Sequence, residues 1–244
     1  MYYYIYDSFL NDKKYHSLLA KIENRLTDLG INGKINHLSF LKNIQQILAE
    51  EIRRGVKTVV VVGSDKTLGQ IINLIMDLNV VIGYIPIHSE CIAGLLNIPQ
   101  GEHACDVLSA RIVKRIDLGK VNNYYFIGAI ETGGQKLTFE CDGNYIINLT
   151  NKDNIINIGN LNYQHGIFAS PNDECLDLFI ENTEKKFLIK KKATLSHLTF
   201  KKIRLSAEKP MPILLMDEKK ILKTPVEIKV QPKKLRMIVG RGSL

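Results

Sequence analysis

The run Thr58-Val59-Val60-Val61-Val62 constrains this chain more than any other stretch. Its residues are all β-branched, so they restrict χ1 in a helix and pack well on a pleated surface. An apolar run without alternation suits a strand buried on both faces, which is how a parallel sheet covered by helices treats its central strands. The neighbouring segments fit that reading. Tyr2–Tyr6 is a short aromatic strand. Residues 11–29 carry Leu18, Leu19, Ile22, Leu26 and Leu29 at helical spacing, with Gly30 where a C′ glycine belongs. Residues 35–38 form a second strand. Residues 41–54 are helical through Leu41, Ile44, Ile47, Leu48 and Ile52, and end on Arg53-Arg54-Gly55. A helix over 67–78 and a buried strand over 80–85 complete a β-α-β-α-β-α-β order, which predicts an open parallel α/β sheet.

The pattern changes after about residue 116. Short strand-like pieces then dominate, at 124–130, 137–141, 145–149, 166–169, 175–180, 187–189, 198–205, 211–216, 227–230 and 235–239. Asp142-Gly143-Asn144, Ser170-Pro171-Asn172-Asp173, Lys209-Pro210 and Pro232 separate them. Such spacing predicts an antiparallel sandwich or barrel. The expected organisation is an α/β nucleotide-binding-like domain over 1–117 and an antiparallel β-sandwich domain over 118–244. The boundary is expected near residues 117–121.

The formal net charge is +8. Between residues 185 and 236 there are sixteen Lys or Arg against four Asp or Glu. That bias fits a solvated surface or an anionic partner, and it bears on association rather than on fold. A nucleic-acid partner would rest on charge alone, since no basic-aromatic motif accompanies the tyrosines at 2–4. No apolar run approaches the roughly 18 residues of a membrane span. The first residues lack a basic segment followed by an apolar one, so a secretory signal is not expected. Cys91, Cys105, Cys141 and Cys175 form no C-x-x-C pair and read as reduced, small apolar residues of a cytoplasmic protein. His88, Glu90, Cys91, His103 and Cys105 are potential metal ligands, but their spacing fits no standard zinc pattern.

The segment Gly63-Ser64-Asp65-Lys66-Thr67 follows the Val-rich strand and opens the next helix. Ligands bind at the carboxyl ends of parallel strands in open α/β sheets. A helix N-terminus there offers free N–H groups and partial positive charge, suited to phosphate. Asp65 suits a metal ion or a proton, Thr67 a helix cap or a phosphate oxygen, and Lys66 a phosphate charge. An ordinary βα turn explains the same residues, with Gly63 for the bend and Ser64 or Asp65 as N-cap.

The order of segments around this loop resembles the diacylglycerol kinase family of lipid kinases. That family has a Gly-Gly-Asp-Gly-Thr loop where this chain has Gly63-Ser64-Asp65-Lys66-Thr67. Where that family has a Pro-Leu-Gly-Thr segment, an Asn-Asp pair and an Ile-Pro, this chain has Ile85-Pro86-Ile87-His88-Ser89-Glu90-Cys91-Ile92-Ala93, with Glu90-Cys91 or Cys91-Ile92 in place of the pair, and Leu96-Asn97-Ile98-Pro99. Arg115-Ile116-Asp117-Leu118-Gly119 resembles the stretch that opens the family's second domain. Residues 168–177, Phe-Ala-Ser-Pro-Asn-Asp-Glu-Cys-Leu-Asp, resemble its Ala-x-x-x-Asp-Gly-x-Leu-Asp segment. Met216-Asp217-Glu218-Lys219 resembles the closing Asp-Gly-Glu hairpin, and residues 235–239 the last strand.

The resemblance implies ATP with Mg²⁺ over Gly63, Ser64, Lys66 and Thr67, with His88 and Ser89 lining the same site. Asp65 would hold the metal ion or orient the nucleophile, and Asp217 or Glu218 would be the base for a lipid hydroxyl. It also implies a peripheral role at an anionic membrane surface. The departures fall on the chemistry. Lys66 replaces a glycine, the Asn-Asp pair is lost, and Lys219 stands where the closing glutamate would. Two functions are therefore expected. One is ATP-dependent phosphoryl transfer to a lipid-type hydroxyl. The other is an inactive lipid-kinase homologue that binds a nucleotide, phosphate or lipid headgroup, or serves as a scaffold.

Overall fold

The structure is a computed structural model that describes residues 1–38, 43–89, 91–134, 136–150, 154–164, 167–182, 185–186, 189–190 and 194–243. The chain divides into two compact units, Met1–Ile116 with Lys234–Leu244, and Asp117–Lys233. The last eleven residues thus group with the first unit, whereas a single crossing near residue 117 assigns them to the second.

In the first unit, β1 (Tyr2–Tyr6), β2 (Gly33–His37), β3 (Thr58–Ser64) and β4 (Val81–His88) pair in parallel in the order β2-β1-β3-β4. The expected α/β sheet is present. Val59 to Val62 are fully buried, as a run without alternation requires. Helix α1 (His16–Asp28) buries Leu19, Ile22 and Leu26, and α2 (Ile44–Arg53) and α3 (Asp65–Ile75) follow. The helix expected from residue 11 begins instead with two 3₁₀ turns, Ser8–Asn11 and Lys13–Tyr15. The Asp12 carboxylate accepts from Lys14 N at 3.2 Å, a local bond that competes with helical pairing. Strand β4 runs past Pro86 to His88, and a register shift between Gly63 and Ser64 sets Ser64 opposite His88. Two short helices follow, α4 (Ile92–Leu95) and α5 (Ala104–Ala110). The expected helical start at 41–42 lies outside the described residues.

In the second unit come β5 (Val113–Val121, which begins in the first unit), β6 (Tyr124–Phe126), β7 (Ala129–Gly134), β8 (Leu137–Cys141), β9 (Tyr145–Leu149), β10 (Asn154–Gly159), β11 (Asn162–Gln164), β12 (Ile167–Ala169) and β13 (Leu176–Asn182). They continue with β14 (Lys185–Lys186), β15 (Ile189–Lys190), β16 (Thr194–Phe200), β17 (Lys202–Ala207), β18 (Pro212–Leu215), β19 (Lys220–Lys223) and β20 (Val226–Ile238). One antiparallel sheet has the order β16-β13-β10-β7-β18-β19. Strands β9, β8, β17 and the first part of β20 form a second antiparallel layer. Phe139, Ile203, Leu205 and Ile228 of that layer share one buried cluster with Ile130, Ile156, Leu178, Phe200 and Ile213 of the six-stranded sheet. This is the expected sandwich, with alternate residues of each strand turned inward.

Several readings of the second half change. Residues 124–130 divide between two strands, β6 and β7, and β5, β11 and β19 lie outside the expected pieces. So does β10, where Asn154 and Asn157 dilute the apolar signal. Residues 198–205 are two strands rather than one. Residues 227–230 and 235–239 belong to one strand, β20, which pairs with β17 through Val226–Lys229 and with β4 through Met237. Pro232, which offers no N–H, lies between these two pairings. Residues 187–188 of an expected strand lie outside the described residues.

Candidate functional site

Strand β3 is flanked by β1 and β4, so the loop after it opens at the centre of the parallel sheet. Ser64 has extended backbone, and its hydroxyl accepts from Thr67 N at 3.4 Å, making it the N-cap of α3. Between the two residues offered by sequence, the structure selects Ser64 as the cap.

The centre of the loop is a residue that the motif reading did not single out. Asp7 directly follows β1, and its backbone N donates to Val62 O at 2.9 Å. Its carboxylate oxygen Oδ2 accepts from the Thr67 hydroxyl and, at 3.2 Å, from the Ser64 hydroxyl. Register explains the meeting. Tyr6 lies opposite Val62, so Asp7 comes beside Gly63 where β1 ends and β3 continues against β4. Gly63 is required there, because a Cβ at that position would stand 2.7 Å from Asp7 Cβ. A polar residue directly after an apolar strand, one register step from a loop glycine, is the signal that would have found Asp7.

Asp65 turns the other way. Its Oδ1 accepts from the Tyr84 hydroxyl at 2.9 Å, and its Oδ2 accepts from the backbone N of Cys91 at 3.2 Å and of Ile92 at 3.4 Å. The carboxylate therefore ties the start of α3 to the start of α4. Tyr84 is buried, and desolvation first, then the Asp65 charge, raises its pKa far above the ordinary phenol value. It remains a donor to Asp65 at any ordinary pH. The Ser89 hydroxyl accepts from Ala93 N at 3.1 Å. Lys66 is exposed and Thr67 buried. Glu90 lies outside the described residues.

His88 is exposed beside this loop. The Tyr15 hydroxyl and His88 Nε2 are hydrogen-bonded at 2.9 Å, and the Phe9 ring lies 5.3 Å from the His88 ring. Gly63, Ser64, Asp65, Thr67, His88 and Ser89 are thus gathered at one sheet edge with Asp7, Tyr84, Phe9 and Tyr15.

Asp217 and Glu218 belong to the second unit, in the turn between β18 and β19. Asp217 is buried and accepts from Ile127 N at 2.7 Å and from Gly128 N at 3.0 Å. A Cβ at Gly128 would stand 2.4 Å from Asp217 Oδ1, so glycine permits this approach. Lys219 follows with φ 52°, the left-handed conformation at the turn. Among the described residues, no group of three or more His, Cys, Asp or Glu converges to hold a metal ion. Cys105 and Cys141 are buried thiols pushed up to about 11 by desolvation, as inert core residues are.

A parallel α/β unit with a capped loop at the end of its central strand, followed by an antiparallel β unit, defines an α/β-plus-β class of fold. The model of the diacylglycerol kinase catalytic domain matches residues 2–121, and over this segment the chain is similar to the diacylglycerol kinase family. Two similar solved structures are a diacylglycerol kinase and a putative diacylglycerol kinase from Bacillus anthracis str. Sterne, each with TM-score 0.80, 19% identity, and coverage of 100% of this chain and 98% of the other. At that identity the likeness is one of fold. Among curated proteins, none matches by sequence.

Proposed function

We propose that this protein binds the phosphates of a nucleotide over Gly63–Thr67 and has little or no diacylglycerol kinase turnover. The phosphate reading rests on the capped N-terminus of α3 at the centre of the sheet edge, with Lys66 exposed beside it. One observation carries the view that turnover is weak. Asp65 and Asp217, both candidates for the chemistry, already serve as protein staples. Asp65 accepts from three donors, and Asp217 from two backbone N–H groups.

The family implies Mg²⁺, and Asp65 is the loop carboxylate next to the proposed phosphates. A Mg²⁺ site commonly needs one or two carboxylates, with phosphate oxygens and water completing the set, but both Asp65 oxygens already accept from Tyr84, Cys91 and Ile92, so the carboxylate as placed does not fit that role. The chain's own contribution is positional. Ser64 and Thr67 hold the loop to Asp7, leaving N–H groups of the first turn of α3 for an anion. Lys66 adds a point charge. At the acceptor, Asp217 has its oxygens turned onto Ile127 and Gly128, and Lys219 replaces the family's glutamate. A lysine acts as a base for a hydroxyl only with a strongly lowered pKa. Loss of one positioned group costs on the order of a hundredfold in rate.

The test pairs binding with turnover. ATP or ADP with Mg²⁺ is expected to raise the melting temperature of the full chain, because a ligand that binds only the native state stabilises it. Radiolabelled ATP with diacylglycerol and other lipids in mixed micelles is expected to give transfer near background. Robust lipid phosphorylation that disappears in Asp65→Ala would overturn the weak-turnover reading and leave Asp217 or Glu218 as the base.

A further inference from the structure

We propose that the Asp7 carboxylate is an internal anion seated at the loop Gly63–Thr67, and that it lowers the affinity of this loop for phosphates. The inference rests on the phosphate reading of the loop, and three observations carry it.

The first is what the loop hydroxyls do. Ser64 and Thr67 are the hydroxyl-bearing residues of the loop. Both donate to Asp7 Oδ2, Ser64 at 3.2 Å, and their own oxygens lie 3.1 Å apart, so the three groups form a closed triangle. Asp7 Oδ1 accepts from the Ser8 hydroxyl at 3.4 Å. A carboxylate bonded in this way beside the first turn of a helix uses the donors and the partial positive charge that a phosphate oxygen would use.

The second is charge. Within residues 7–8 and 63–67, the carboxylates of Asp7 and Asp65 stand against the ammonium of Lys66. Asp65 is fixed by the Tyr84 hydroxyl and by the N–H groups of Cys91 and Ile92. The loop therefore carries an excess of negative charge before any ligand arrives. A phosphate on the first turn of α3 meets that charge at close range, where like charges repel most strongly.

The third is that Asp7 is held in place. Its backbone N donates to Val62 O at 2.9 Å. A Cβ on Gly63 would stand 2.7 Å from Asp7 Cβ and 3.1 Å from its Oδ2, which measures how closely the two residues are packed. Asp7 is half-buried, so water screens part of its charge, and the effect is a lowered affinity rather than a closed site.

Calorimetric titration of the full chain with ATP and with inorganic tripolyphosphate, each with and without Mg²⁺, tests the assignment in wild type, Asp7→Asn and Asp7→Ser. Both replacements are neutral, no larger than aspartate, and keep an oxygen that accepts from the two hydroxyls; circular dichroism checks their fold. Each variant is expected to bind both ligands more tightly than wild type, on the order of tenfold, with the larger gain in the absence of Mg²⁺. Binding by the variants and not by wild type would support the inference in its strongest form. A carboxylate that only clamped the loop would leave affinity unchanged or reduced on replacement. Either result in both variants, with wild type binding, would overturn the inference and leave the phosphate reading standing. Unfolding of both variants would make Asp7 a structural requirement and overturn it too. Absence of binding by all three folded proteins would overturn both readings.

Discussion

At position 63 the spacing between two strand ends decides which side chain is tolerated. A methyl group there would press on Asp7 Cβ at 2.7 Å, and the strand and the cap on either side leave little room to relax. Gly63→Ala should destabilise the first unit by about 1–3 kcal/mol, the usual cost of overpacking, and should weaken nucleotide binding. Denaturant melts and ATP thermal shifts on the same variant would measure both. Asp177 poses a different problem, on the face of β13 away from the sandwich core. Its Oδ1 and His197 Nε2 are 2.6 Å apart, and its buried Oδ2 has no hydrogen-bond partner among the described residues. Burial raises its pKa, and the bond to His197 opposes this only in part. With the folded pKa above the unfolded one, the native state binds more protons across the window between them. Its stabilising contribution is therefore full below the unfolded value and is lost as pH rises through the folded value. Asp177→Asn should abolish this component, so wild type should lose stability relative to the variant from about pH 4 upward. Denaturant titrations of both proteins between pH 4 and 7 would show the divergence; parallel curves would refute it.

Elements are joined by carboxylates that accept from backbone amides in distant loops. Asp117 of β5 is fully buried and accepts from Lys233 N and Glu174 N, each at 2.7 Å, while Asn160 donates to Asp117 O at 2.9 Å. Asp217 does the same for the β18–β19 hairpin, holding the N–H groups of Ile127 and Gly128. Each such bond involves a charged acceptor, and its removal strands a buried donor. Asp217→Ala should therefore cost about 2–4 kcal/mol and loosen the segment between β6 and β7. Hydrogen exchange at Ile127 and Gly128 would locate the effect. Nucleotide binding should persist in folded protein, because the proposed phosphate loop lies in the first unit. Loss of binding without loss of stability would contradict the structural role given to Asp217.

At the scale of the whole molecule, the chain end completes the first unit. Leu235, Met237, Ile238 and Val239 are buried, Met237 pairs with Ile82, and Gly240 N donates to Leu96 O at 3.0 Å. Burial of a large apolar side chain contributes about 1.5–3 kcal/mol, so these four amount to about 6–12 kcal/mol, comparable to the 5–15 kcal/mol total of an ordinary domain. Truncation after Lys233 should abolish cooperative unfolding of the first unit and with it any nucleotide-induced thermal shift. A truncated chain that melts cooperatively and still binds ATP would show that the terminal strand is dispensable. Among the described residues, no helix is long and apolar enough to cross a membrane.

Local chemistry made much of this legible in sequence. Val59 to Val62 could satisfy their burial only in a strand covered on both faces, and the helical spacing of Leu19, Ile22 and Leu26 needed one buried stripe. The loop Gly63–Thr67 was visible because a buried strand followed by glycine and a capping residue has few alternatives. Asn154 and Asn157 hid β10, since their amides are polar in isolation and become core residues only when neighbouring strands supply partners. Asp7 was hidden for a related reason. Its place in the site depends on the register between β1 and β3, which residues in separate segments set together. Asp65 showed the opposite case: its type and position marked it for a metal or a proton, yet folding brought Tyr84, Cys91 and Ile92 to its oxygens. Sequence by itself determined the order of elements, because periodicity and side-chain shape act within a few residues. Which carboxylates serve as staples, and which rings stand beside the loop, was decided by the tertiary structure, because hydrogen-bond partners are chosen only when distant strands meet.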